Sequence, residues 1–141
     1  MSIPAWVNRY IGIPFADEGF SLSGSNCWGL CHMVLKLERG IETPTYAEIG
    51  AFDLLAAARE FKSNALSELW PAVTEPREFD LLLMHAMTED AKHRTHGHIG
   101  IMISPERVLH TWAMTASCHM PIKHPRIRSK IISFHRHRDL S

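Results

Sequence analysis

The sequence predicts an α+β fold in which N-terminal helices pack on an antiparallel sheet. Two observations carry this. Residues 26–40 show apolar residues at helical spacing between a capping residue and a glycine. Beyond residue 80, short apolar runs are separated by tight turns, and two of them are close enough to form a hairpin. A chain of 141 residues suits one domain, here 1–141, with a genuine core.

Taken in order, Trp6 to Tyr10 reads as a short helix entering a loop punctuated by Gly12, Pro14, Gly19 and Gly24. Asn26 is a good N-cap. After it, Leu30, Val34 and Leu37 fall on one helical face, as do Leu30, Met33 and Leu37, and Gly40 closes the helix. A second helix is expected from about Ala47 to Asn64, rich in Ala, Leu and Glu, with Trp70-Pro71 ending that region. Leu81 to Met84 is an apolar run short enough for a buried strand, and Thr88 to Thr95 a polar loop. His98 to Ile103 and Val108 to Ala113 read as strands. Only Ser104 to Arg107 separates them, so they should pair as a hairpin. Lys130 to Phe134 is the final expected strand.

Fifteen basic and fifteen acidic residues cancel, which gives no argument for nucleic acid or an anionic membrane as partner. Lys123 to Arg138 holds Lys, Arg and three His without Asp or Glu, and reads as a solvated basic stretch, with docking on an acidic partner as the alternative. No apolar run approaches the roughly 18–20 residues needed to span a bilayer, so no membrane insertion is expected. The first residues lack the basic and apolar regions of a secretory signal, and synthesis in the cytoplasm without a signal peptide is expected. Three cysteines make a sparse, odd set, unlike a disulfide scaffold.

Cys27 opens the predicted helix directly after Asn26. A thiol at a helix N-terminus is biased toward thiolate, because exposed N–H groups and the helix dipole favour negative charge there. His98 and His110 lie on the two hairpin strands, His98 on the face of Gly100 and Met102. Together the three supply a nucleophile, a base and an orienting group. The bland alternative for a lone Cys is a small buried hydrophobe, and Cys31 and Cys118 are read that way. Cys27 and Cys31 have the spacing of a metal pair, but no second Cys pair supports it. His93-x-x-His96-x-His98 is a zinc-like spacing that lacks the usual acidic ligand, although Asp90 is near. His85, His119, His124, His135 and His137 are read as surface polar residues.

At these residues the chain resembles the NlpC/P60 family of cysteine peptidases, in particular the short versions of phage tails and gene-transfer-agent particles. The matching pieces are Tyr10-Ile-Gly-Ile-Pro-Phe15, Gly24-Ser-Asn-Cys-Trp-Gly-Leu30 and Ile41-Glu-Thr-Pro-Thr-Tyr46, followed by Glu78-Phe-Asp-Leu-Leu-Leu83, His98-Ile-Gly-Ile-Met-Ile103 and Arg107-Val-Leu-His110. They stand in the family's order from about Trp6 to Trp112. The resemblance implies a papain-like fold and hydrolysis of amide bonds in bacterial peptidoglycan stem peptides, often next to D-glutamate and a diamino acid. It makes Cys27 the nucleophile, His98 the general base and His110 the orienting residue. Tyr10 and Trp28 become candidates for oxyanion or substrate contacts. No metal or cofactor is implied. The family usually has Asp before the Cys; Asn26 stands there and can still cap the helix. The implied setting is a phage or phage-like tail tip in the virion, among other tail-tip or baseplate proteins. Two rivals remain open: a structural tail protein that keeps the fold with little activity, and a papain-like amidase or acyltransferase acting on another substrate.

Overall fold

The computed structural model describes residues 3–16, 20–43, 70–85, 97–112 and 115–140. The expected second helix and the loop with Asp90, His93 and His96 lie outside these residues.

The short helix expected from Trp6 is a 3₁₀ helix over Ala5–Tyr10. A two-stranded ribbon follows, β1 (Phe20–Ser21) against β2 (Gly24–Ser25). Helix α1 then runs over Cys27–Arg39. Its ends are set as the residue types dictate. The Asn26 side-chain oxygen accepts from the Gly29 N–H at 2.6 Å, satisfying one donor that the first turn cannot pair internally. Gly40 takes the left-handed conformation, φ 66°, and returns its N–H to the Lys36 carbonyl.

The main sheet contains β3 (Ala72–Val73), β4 (Leu81–His85), β5 (Gly97–Ser104), β6 (Arg107–Trp112), β7 (Thr115–Pro121) and β8 (Ile131–His135). Its order is β3-β8-β4-β5-β6-β7, and the pairs are antiparallel. The expected hairpin is β5–β6, turning at Pro105-Glu106 between Ser104 and Arg107. Strand β7 and a one-turn helix α2 (Pro125–Arg128) were not anticipated.

Both faces of the sheet are covered, which is why Leu81 to Met84 is apolar without alternation. Leu81, Leu83, Ile99, Ile101, Ile103 and Leu109 join the α1 side chains in one core cluster. Leu82, Met84, Met102 and Val108 pack on the other face with Ile127 of α2 and the half-buried Met120. Helix α1 lies on β5 and β6 and is buried on all sides from Cys27 to Leu35. It then leaves the core, so Leu37 is 51% exposed and not on the buried face that its spacing suggested.

Ser117 of β7 ties the segment after the 3₁₀ helix to the sheet. Its carbonyl accepts from Gly12 N–H at 2.9 Å, its N–H donates to the Ile13 carbonyl at 2.9 Å, and its hydroxyl bonds both Ile13 N–H and the Tyr10 carbonyl. In the basic C-terminal stretch Lys123, Arg126, Arg128 and Arg138 are exposed, as the solvated reading expects, but Arg136 is anchored. Arg136 Nε and Nη2 donate to the fully buried Asp80 carboxylate at 2.8 and 2.7 Å. That pairing draws its neighbours inward. His135 donates from Nδ1 to the Trp70 carbonyl and accepts from Ser133, while His137 stands edge-on to the Trp70 ring. His135 and His137 are therefore buried and not surface residues.

Candidate active site

Cys27 occupies the first turn of α1, 3% exposed, in the same core cluster as Ile99 and Leu109. Those two are the sequence neighbours of His98 and His110, whose side chains alternate to the other side of their strands. Cys31 lies one turn deeper and is fully buried; burial first, and the nearby Cys27 charge second, push its thiol well above the ordinary value. Cys118 is half-buried on β7, opposite His110, and burial raises its thiol as well.

The two strand histidines meet. His98 Nε2 and His110 Nδ1 are 2.9 Å apart, with ring centroids separated by 5.2 Å and planes inclined by 71°. The β5–β6 register runs from Ser104↔Arg107 to Ile101↔Leu109, and the histidines stand beyond it as diagonal cross-strand neighbours. Gly100 makes that diagonal passable. A Cβ at position 100 would lie 2.5 Å from Val108 Cγ2 and 3.2 Å from His110 Cβ. Glycine is thus the residue that lets His110 cross toward His98.

On its other side His110 Nε2 stands 3.3 Å from the Met120 sulfur. Both imidazoles are held neutral. Burial is the main cause at each: His110 falls from 6.5 to about 4, and His98 falls well below 6.5 with the neighbouring His110 as a second cause. Burial favours the neutral ring, whose chemistry is that of a proton acceptor. Its Nε2 is committed to His110, so Nδ1 is the atom through which His98 can exchange a proton with a thiol.

The Tyr10 hydroxyl lies away from the candidate nucleophile. The Tyr10 hydroxyl donates to Glu38 at 2.6 Å, in the last turn of α1. At 1.5 Å rise per residue, that is about 16 Å along the axis from Cys27. Burial first, and Glu38 second, raise the Tyr10 hydroxyl to about 12. Trp28 is 4% exposed and packs within the same core cluster as Cys27, which is buried to the same degree. Among the described residues no group of three or more His, Cys, Asp or Glu is arranged to hold a metal ion. Sequence reasoning missed Met120 and the packing role of Gly100. The signal for Gly100 was present, since it alternates in step with His98.

No family model and no curated protein matches this sequence. Solved structures do match, and they define the class: the chain has the α+β fold of NlpC/P60 structures. An NlpC/P60 family protein from Bacillus cereus is 19% identical at TM-score 0.62, over 96% of this chain and 41% of that one. The NlpC/P60 domain of peptidoglycan hydrolase SagA is 14% identical at TM-score 0.61, over 94% and 93%. NlpC2 from Trichomonas vaginalis is 12% identical at TM-score 0.62, over 94% and 43%. The chain thus spans about two fifths of the Bacillus cereus protein and nearly all of the SagA domain.

Proposed function

We propose that this protein is a cysteine endopeptidase that cleaves peptidoglycan stem peptides through an acyl-enzyme on Cys27. The observation that carries the reading is the buried His98–His110 pair at 2.9 Å, on strands packed under the helix that Cys27 opens. The fold likeness to a domain of a peptidoglycan hydrolase supports the substrate class.

In this mechanism neutral His98 takes the Cys27 proton on Nδ1 as sulfur bonds to the amide carbonyl carbon. The imidazolium so formed keeps its Nε2–H on His110, which spreads the charge. Backbone N–H groups at the start of α1 stabilise the oxyanion. The carbon–nitrogen bond then breaks and the amine leaves with the His98 proton. Water gives one proton to His98 and adds hydroxide to the thioester, and Cys27 departs and recovers its proton. No cofactor takes part.

We further propose that the protein works at a phage or phage-like tail tip, among other tail proteins, a setting that rests on the ordered sequence pieces of the short tail-associated versions. Purified muropeptides incubated with the protein test the reaction, with products identified by mass spectrometry. Free amine and carboxyl ends within the stem peptide are expected, and none with Cys27→Ala. A chain that folds normally and cuts no muropeptide, or one in which Cys27→Ala remains active, overturns the assignment. Absence of the chain from purified particles overturns the setting alone.

A further inference from the structure

We infer that Met120 is a positioning residue: its sulfur fixes which nitrogen of His110 carries the proton and, through His110, aims His98 as a base. The catalytic consequence rests on the reading of Cys27 and His98 above; the proton order itself does not.

A thioether sulfur has lone pairs and no hydrogen, so it only accepts. With Met120 Sδ 3.3 Å from His110 Nε2, that nitrogen carries the hydrogen and donates to sulfur. Two lone pairs facing each other at that distance would repel. A neutral imidazole has one N–H, so His110 Nδ1 is then an acceptor. His98 Nε2, 2.9 Å away, must donate to it. His98 in turn has one hydrogen, now spent on Nε2, and its Nδ1 holds a lone pair. The chain runs from Met120 through two rings and ends on a basic nitrogen. Reversing it would put hydrogen on His98 Nδ1 and leave the ring unable to take a thiol proton. Burial keeps both rings neutral, as the order requires.

The backbone holds the sulfur there. Met120 is paired with Val108 on β6 and His110 with Cys118, so Met120 and His110 are diagonal neighbours on one face. Met120 also packs against the Leu82, Met84, Met102 and Val108 cluster, which limits its freedom.

The test is two-bond proton–nitrogen NMR of the intact protein near pH 7, which separates protonated from unprotonated ring nitrogens. In the parent, Nε2 should carry the hydrogen in both His98 and His110. Met120→Leu keeps the volume and removes the acceptor. The proton order should become mixed, and kcat should fall roughly 2- to 10-fold, as expected for losing one modest hydrogen bond that biases the equilibrium, with KM unchanged. Met120→Lys offers only donors and should invert the order. A parent spectrum with hydrogen on His110 Nδ1, or a Met120→Leu spectrum identical to the parent, overturns the inference. If the proton order is as stated but Cys27→Ala still turns over, the peptidase reading fails while the role of Met120 in ordering the protons stands.

Discussion

Gly100→Ala tests how tightly the hairpin is built around the histidine pair. The new Cβ would lie 2.5 Å from Val108 Cγ2, 3.0 Å from the Leu109 carbonyl oxygen and 3.2 Å from His110 Cβ. Val108 is fully buried and the carbonyl is backbone, so neither yields cheaply. Overpacking of this kind costs about 1–3 kcal/mol. Restricting the unfolded chain by replacing glycine returns about 0.4–1 kcal/mol. The net loss is then about 1–2 kcal/mol. For a chain of this length the unfolding entropy is about 0.3 kcal/mol per degree, so Tm should fall by about 3–7 °C in a thermal melt followed by circular dichroism. Adding Val108→Ala removes the shortest contact but not the carbonyl one. The double variant should recover about 1 kcal/mol relative to additivity. Because His110 must also move, turnover should drop more than the stability loss accounts for. An unchanged Tm with full turnover would refute the close-approach argument.

The Asp80–Arg136 pair should dominate the stability of the C-terminal strand: Asp80→Ala leaves Arg136 facing a buried gap and should cost about 3–5 kcal/mol in urea unfolding. Acid should weaken the fold through its buried histidines. His98 and His110 have folded values below the ordinary 6.5, so the unfolded chain binds more protons in that window. Stability should be full above pH 6.5 and decline as pH falls toward 4, with His110 alone contributing about 3 kcal/mol at roughly 1.4 kcal/mol per pH unit. His110→Gln should flatten the profile, measured by urea melts across pH. Iodoacetamide should label Cys27 ahead of Cys118 even though Cys118 is the more accessible, and leave Cys31 unmodified until unfolding. Cys118 labelling first would count against an activated thiol at position 27.

The features legible in the sequence were those governed by local chemistry. Asn26 and Gly40 mark the ends of α1 because capping depends on one side chain or one backbone conformation. The β5–β6 hairpin was legible because few residues separate two apolar runs. Strand β7 was not, since Thr115–Pro121 mixes small and polar residues and gains its structure from pairing with β6 and the Gly12–Ile13 segment. His135 and His137 looked like surface groups because their burial follows from Arg136 finding Asp80, a partner 56 positions earlier. Tyr10 looked available for chemistry because nothing local announces Glu38 as its partner. The histidine pair itself was approached through alternation, but the sulfur behind it was not, because a methionine in an apolar cluster gives no sign of accepting a hydrogen bond.

The clamp at Ser117 has a consequence for the order of events during synthesis. The segment leading to Cys27 is held by a residue 104 positions beyond Ile13, so it cannot be fastened while the chain is still short. A nascent chain emerges N-terminus first. Cys27 therefore leaves the ribosome long before β6 and β7 exist to fix its approach or to supply His110. On the proposed mechanism, turnover can begin only once β6 and β7 are in place, because His110 is carried by the one and the approach to Cys27 is fastened by the other.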